Sequence, residues 1–588
     1  MAASAKRAHP ARRAGAWALA ALLSLALVAG CTGERSLAAD PATEVAPGAT
    51  TQEPQQEAAL LEGASAATLA ISASQAYYAS AGVVVLTPPD DDSQLRAASI
   101  AMALGLPLLV VGEEGSEPAV TAELERLETH TVLVTGDVAV PQLSPDRPFL
   151  RAVTAPDSLD ALQVVIGRDL AGEVPVAPGG GVAAIASAQQ PFDWLLVAKK
   201  DETATASPSA VPGNLADLPG LPPFRSPDRL SRNVLVSDGG PGQLAALGTA
   251  RAAGASVVIT TDLDGDPAAI AALFGIAPTH ILGIGDFGDP EQFSYRARVA
   301  ATGVELPGGG QELLEGKVYV ALRGAPGAPE LGSLGAQGTP ATLERLRALA
   351  AATPSTSTVV PTAMLLTTVA SSEPGSDGSY SGKRSLNDLR PFVSEATSAG
   401  VSVLLTFQPG RQTLLEQVML YEEFLLEPGV GVALEPAWRL APGEQPGSQA
   451  GIVPAAEINE VVDYLSSLAV NEALPPKMVA VRLPSSQAIS DPGNLVPSRL
   501  GAQVVLEVNG SPVTAPVAPD AEIPEGSEPA PVVTAAQVWA QATSVDWGTG
   551  GWGSGGREGW WGWSQGASYV PAAELLAMVP APVLITYP

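Results

Sequence analysis

Cysteine is almost missing from this chain of 588 residues: Cys31 stands alone. No disulfide can form within one copy. Histidine is nearly as scarce, with three, one of them at position 9. His130 and His280 alone remain for the body of the chain, which serves Ser–His hydrolysis, histidine-held zinc and histidine phosphoryl relays poorly. Basic residues are few, 31 Lys and Arg against 61 Asp and Glu, and the formal charge is -30. So acidic a surface repels nucleic acid, and no nucleic-acid partner is expected. It also has no electrostatic grip on anionic wall polymers unless cations bridge the two. Beyond residue 28 no apolar run reaches the length of a bilayer span.

What is present begins at the N-terminus. Lys6, Arg7, Arg12 and Arg13 precede an apolar run over 16–28, which closes on Leu27-Val28-Ala29-Gly30-Cys31. A run that short, ending in small residues, reads as a cleaved signal. The small residues before the single cysteine resemble the lipobox of bacterial lipoproteins, against which stands an ordinary signal peptide with an incidental Cys. The resemblance implies lipidation at Cys31, attachment to the membrane through an N-terminal lipid, and a place at the extracytoplasmic face of the cell membrane, in the envelope. Without the four basic residues the remaining charge is about -34. Residues 32–77, rich in Ala, Thr, Pro, Glu and Gln, read as a flexible tether.

From 78 to 314 the chain repeats itself. A strand at 83–86 precedes a helix with Gln94, Leu95, Ala97, Ala98 and Gly105, a strand at 108–111, and Thr129-His130 before a strand at 132–135. The second copy has a strand at 234–236, then Gln243, Leu244, Ala245, Ala246 and Gly254. It continues with 257–259 and with Thr279-His280 before 281–284. Offsets of 149 or 150 that keep the punctuation as well as the apolar positions predict two related α/β units, 78–230 and 231–314. Apolar strands alternating with helices predict parallel, flavodoxin- or Rossmann-like sheets covered on both faces. These residues resemble the cell-wall-binding repeat 2 family. The family's usual Phe-Pro-Asp before the helix is absent, with Pro88-Pro89-Asp90 a partial echo.

The region 315–588 changes rhythm. Strands at 318–322, 359–369, 401–407, 430–434, 478–481, 503–508 and 560–563 alternate with amphipathic helices, one of them carrying Ile458, Val461, Val462, Leu465 and Leu468. Seven such steps without a Gly-rich first turn predict a (β/α) barrel, complete or incomplete, with an open doubly wound sheet as the alternative. Asp388-Leu389-Arg390-Pro391, Gln408-Pro409-Gly410-Arg411, Leu434-Glu435-Pro436-Ala437-Trp438-Arg439, Ala456-Glu457-Ile458-Asn459 and Trp560-Trp561-Gly562-Trp563 resemble the C-terminal barrel-like domain of actinobacterial lipoproteins that carry cell-wall-binding repeats.

Barrel chemistry gathers where strands end. Those ends supply Arg323, Gln408, Arg411, Glu435, Trp438, Arg482, Glu507 and Trp563, and the Gly-rich segment before the last strand adds Trp552. Carboxylates, arginines and tryptophans at one mouth suit a saccharide. Glu435 and Glu507 are the candidate catalytic pair; the other residues are candidate ligand contacts. Against this, Glu435 could be a structural ion-pair partner of Arg411 or Arg482, and Glu507, before Asn509-Gly510, could face solvent.

Other motifs fail. Gly283-Ile284-Gly285-Asp286-Phe287-Gly288 closes a unit instead of opening one, and its aspartates repel a pyrophosphate. In Asp262-Leu263-Asp264-Gly265-Asp266, Pro267 stands where a calcium loop needs Gly and Leu273 where it needs Glu. No metal or cofactor is expected. The sequence reads as an envelope lipoprotein that binds a cell-wall polymer or glycan without catalysis. The rival is a glycoside hydrolase using the carboxylate pair.

Overall fold

The structure, a computed structural model, describes residues 48–143, 150–199, 215–447, 450–484, 486–509, 560–565, 569–578 and 580–588. Residues 48–77 form strands and a helix, so the tether expected over 32–77 is corrected from residue 48 onward. Strands β1 (Ala49–Thr51) and β2 (Ala58–Leu60) precede helix α1 (Ala66–Tyr77), and β3 (Tyr78–Ala81) runs antiparallel to β1. Ser65 begins α1 with a capping box, its hydroxyl and that of Thr68 each accepting from the other's backbone N–H. Small side chains conceal this helix in the sequence: Ala67, Ala70 and Ala73 are fully buried, yet they make a weak apolar stripe.

The first parallel sheet follows. β4 (Val83–Thr87), helix α2 (Asp91–Leu104), β5 (Leu108–Val110), α3 (Glu117–Arg126), β6 (Thr131–Val134) and β7 (Arg151–Thr154) give the strand order β5-β4-β6-β7. Asp90 caps α2 by accepting Ser93 N–H at 2.9 Å, with Asp91 and Asp92 in the first turn, where negative charge suits the helix dipole. After α4 (Leu159–Ile166), strands β8 (Gly172–Val176) and β9 (Trp194–Ala198) pair in parallel around α5 (Gly181–Ser187).

The second sheet contains β10 (Asn233–Ser237), α6 (Leu244–Ala253), β11 (Ser256–Ile259), α7 (Pro267–Ile276), β12 (His280–Ile284) and α8 (Pro290–Thr302). Its order is β11-β10-β12-β2, all parallel. The registers of the two sheets match: Val84 faces Val132 and Leu133 faces Val85, as Val234 faces Ile281 and Leu282 faces Leu235. The fourth position differs in origin. The following strand β7 fills it in the first sheet, and the early strand β2 fills it in the second.

The repeated Gln-Leu-x-Ala-Ala motif has a physical reason. Helices α2 and α6 pack on each other, and Ala97, Ala98, Ala245 and Ala246 are fully buried. A Cβ on Gly248 would stand 2.6 Å from Ala98 Cβ, so the two backbones approach too closely for larger side chains. Each glutamine ties the loop before its helix. Gln94 Nε2 donates to Pro89 O at 2.7 Å, and Gln243 Nε2 donates to Asp238 Oδ1 at 2.6 Å. His130 directly precedes β6 and His280 begins β12, the corresponding strands. Thr129 and Thr279 donate their hydroxyls to the preceding strand's approach at 3.0 and 3.2 Å, so the Thr-His pair is a structural start signal. His280 alone meets a carboxylate, Glu53 at 3.1 Å, brought in by the segment before β2.

The third region closes into a barrel of eight parallel strands. β13 (Lys317–Gly324), helix α9 (Thr339–Ala352) and β14 (Thr358–Leu366) are followed by the hairpin β15 (Thr368–Ala370) and β16 (Ser381–Lys383). Then come α10 (Leu386–Ser398), β17 (Ser402–Phe407), α11 (Leu414–Met419), α12 (Glu422–Leu425), β18 (Val430–Leu434), α13 (Ala455–Asn471) and β19 (Lys477–Leu483). The two-residue β20 (Ser498–Arg499), β21 (Ala502–Asn509), β22 (Trp560–Ser564) and β23 (Leu584–Tyr587) complete the chain. Ring order is β13-β14-β17-β18-β19-β21-β22-β23, with β23 returning to β13. The strand missing from the sequence reading is β23, a four-residue run whose buried Leu584 and Ile585 face opposite sides of the barrel wall. The (β/α) barrel read from seven steps is thus present, and its eighth strand closes it.

Alternation sorts the side chains. Tyr319, Ala321, Met364, Leu404, Ala433, Ala480 and Val505 fill the interior. Leu322, Leu365, Leu405, Val432 and Val481 face outward to the helices. Among the described residues no helix is long and apolar enough to cross a membrane.

Candidate functional site

The inward-facing rows that carry apolar residues deep in the barrel end at its mouth in Arg323, Gln408, Glu435, Arg482, Glu507 and Ser564. Glu435 follows β18 at the start of a short helical turn, Pro436–Trp438. Its carboxylate is buried and fully engaged. Oε1 lies 2.7 Å from Arg323 Nη2 and 3.1 Å from Arg482 Nη1, and Oε2 accepts from Gln408 Nε2 at 2.7 Å. Gln408 is itself fixed, since its Oε1 accepts Ala370 N–H at 2.7 Å. Arg482 extends the network: Nε is 3.1 Å from Glu507 Oε2, and Nη2 donates to Ser564 Oγ at 2.6 Å.

These contacts decide the charge states. Burial works to raise the Glu435 carboxyl, but the charges of Arg323 and Arg482 and the hydrogen bonds from Gln408 and Arg323 outweigh it. The group is held below its usual value and stays ionised. Burial likewise works to lower Arg482, and Glu507 and Glu435 together hold it above its usual value.

Three expectations are corrected here. Glu507 does not face solvent: its residue is 1% exposed, because position 507 falls on the inward row of β21. Arg411 does not partner Glu435. Its guanidinium stacks over Tyr380, 4.5 Å from the ring centroid, and donates to Glu444 O at 2.9 Å. Trp563 lies fully buried on the outer face of β22, among Val508, Val570, Leu575 and Ile585, and presents no ring to a ligand. Trp438 is the opposite case, with 43% of its surface exposed, three positions after Glu435. Cys31 and Trp552 lie outside the described residues.

The other quoted barrel motifs are structural. Glu457 on α13 accepts from Arg439 Nε at 3.1 Å and from Leu414 N–H at 3.0 Å, joining α13 to the turn after β18 and to the start of α11. Asn459 bonds Val496 N–H and Asn494 O. Sequence reasoning passed over Ser564, because a serine inside an aromatic run gives no signal of its own.

A second polar concavity lies where the loops ending β11 and β12 meet the N-terminal face of the barrel. This half-open cavity of about 1200 Å³ is lined by Asp262, Asp264, Glu312, Tyr295, Lys317 and Trp560 among others. The glycine-rich run beside it is no nucleotide loop. Gly285 has φ +120°, a Cβ there would strike the Asp238 carboxylate, and Asp238 Oδ2 accepts Asp286 N–H at 2.8 Å. A carboxylate therefore sits where a pyrophosphate would have to bind.

No protein-family model matches this chain, and no curated protein matches it. The resemblance to the cell-wall-binding repeat 2 family thus rests on the quoted residues. Among solved structures, Cwp6 from Clostridium difficile matches with a TM-score of 0.30 and 12% identity, over 66% of this chain and 63% of that one. Cwp8 from Clostridium difficile matches with a TM-score of 0.29 and 14% identity, over 42% of this chain and 52% of that one. The match spans less than two thirds of either neighbour's length. Likeness at this level decides neither fold nor function.

Proposed function

We propose that the protein is a lipid-anchored envelope protein whose barrel mouth binds a cell-wall glycan and does not cleave it. The observation that carries this reading is the occupation of Glu435. A general acid must hold a proton near neutral pH, and a nucleophile or base needs a free oxygen aimed at the substrate. Glu435 is held ionised, and both its oxygens are spent on Arg323, Arg482 and Gln408. Arg482 bridges the two candidate carboxylates, where a hydrolase would leave a gap for sugar and water.

The same network supplies what recognition needs. Fixed guanidinium and amide donors at a barrel mouth bond hydroxyl and carboxylate groups with little loss of side-chain freedom. Exposed Trp438 supplies an apolar face of the kind that stacks on a sugar ring. The acidic surface selects neutral or amino-bearing glycans, or polymers reached through bridging cations.

The hydrolase reading keeps one specific point in its favour. Glu507 Oε1 is buried and accepts no hydrogen bond among the described residues, while Oε2 meets only the guanidinium of Arg482 at 3.1 Å. The purified full chain incubated with defined envelope glycans separates the two, by scoring binding and release of new reducing ends together. Binding without release is the expected result. Release that vanishes in Glu507→Gln would establish a hydrolase, and absence of binding to every glycan would remove the proposal.

A further inference from the structure

The calcium-like run at 262–266 does not fold as a calcium-binding helix–loop–helix. Asp266 leaves the loop to cap α7, accepting Ala268 N–H at 2.9 Å. What the sequence does not reveal is the partner that replaces it. Glu312, in the segment leading into β13, comes up against Asp262 and Asp264, and one oxygen from each of the three lies within 4.8 Å of the others. Three carboxylates with no nitrogen or sulfur donor among them are the hard oxygen ligands that calcium takes.

An independent observation comes from the neighbouring residue. Gln311 is 1% exposed and lines the same cavity. Its Nε2 donates to Val299 O at 3.0 Å and to Val304 O at 2.8 Å, which fixes the orientation of the amide. Its Oε1 is then left buried with no donor among the described residues. A buried carbonyl oxygen without a donor is costly unless something positive meets it. Its backbone N–H meanwhile donates to Asp264 O at 2.8 Å, holding the two segments in register.

The balance of charge agrees. The described lining carries five carboxylates against three cationic side chains. Arg296 takes only one oxygen of Asp264, at 3.3 Å, and Lys317 is turned to the backbone oxygen of Glu312 at 2.8 Å.

We propose that Asp262, Asp264, Glu312 and the Gln311 side-chain oxygen form a calcium site that fastens the second α/β unit to the approach of the barrel. Asp262 is exposed and gives the ion its way in. Oxygen ligands from two segments make the site a clamp: calcium should slow the opening of 260–266 and 308–312 together.

The test is calorimetric titration of the EGTA-stripped full chain with calcium chloride. One ion per chain is expected, saturating below about 1 mM, the weak end for extracellular calcium modules. Asp262→Asn and Glu312→Gln should each weaken binding about tenfold or more, through loss of ligand charge, while the remote Asp92→Asn leaves it unchanged. No saturable binding in that range would overturn the site, as would equal binding by all three variants. Should the cluster variants fail to fold, hydrogen exchange of the unaltered chain decides. Slower exchange at 260–266 and 308–312 with calcium supports the clamp, and unchanged exchange there overturns it.

Discussion

Arg482 Nη1 lies 3.1 Å from Glu435 Oε1, and the other edge of the same guanidinium faces Glu507. One cation thus serves two buried carboxylates. Glu435→Gln should therefore not be the silent exchange that an uncrowded strand end would allow. It leaves Arg323 without its carboxylate and should cost about 3 kcal/mol, as broken buried ion pairs do, read as a lower urea midpoint. A carboxyl held below its usual value contributes stability that is present above the unfolded value and lost as pH falls through the folded one. The gap between the two proteins should accordingly be full at neutral pH and shrink in strong acid. A gap independent of pH would show that shape, and not charge, is what Gln fails to replace.

Trp438→Ala should leave stability within about 0.5 kcal/mol of the parent, since the ring is partly exposed. Glycan binding should fall by about 1 kcal/mol, the scale of an aromatic contact. Unchanged glycan affinity would separate the tryptophan from the mouth.

Lys477 tests the other end of the barrel. Burial pushes its ammonium down to about 7 against the pull of Glu427, while Nζ donates to Glu427 O at 2.6 Å. The unfolded chain binds this proton more tightly than the folded one, so the group makes stability rise as pH climbs from about 7 towards the ordinary lysine value. Lys477→Met should flatten that part of the pH dependence. An identical slope in both proteins would contradict it.

Gly248→Ala should destabilise the paired helices although alanine is the better helix former. The new Cβ meets Ala98 at 2.6 Å, and overpacking of this kind costs about 1–3 kcal/mol. A stabilised variant would show that α2 and α6 can move apart freely.

Cys31→Ser should abolish incorporation of labelled fatty acid, because no other thiol exists to carry it. Label retained on the serine form would exclude the lipid anchor.

The parallel units and the first seven barrel strands were legible because buried parallel strands are continuous apolar runs, and because the two copies repeat their punctuation. Helix α1 was not legible. Alanine fills its buried face, and an alanine-rich stretch resembles a linker in composition. Strand β23 was too short to stand out until its neighbours closed the ring. At the mouth, the strand-end rule found Arg323, Gln408, Glu435, Arg482 and Glu507. It could not say which arginine meets which carboxylate, since that depends on the stagger between strands. Trp563 was misplaced by one step of alternation, which turns a side chain from the mouth to the helix layer. Glu312 could not have been joined to Asp262 from the sequence, because the contact spans two segments with no shared period.

The pairing of β2 with β12 has a consequence for how the molecule is made. Ala58 lies opposite Ile281, with the whole first unit between them. The second unit is thus discontinuous, and the first is an insertion within it, so two tandem copies in sequence are nested in space. A cut after residue 230 would release neither as an independent body: it would strip the second sheet of its outer strand and leave β2 with nothing to pair. During synthesis β2 must emerge early and wait, unpaired, until β12 has followed it out. Entry of the N-terminal segment into the second sheet is therefore a late, long-range closure, and the step that commits both units to one folded body.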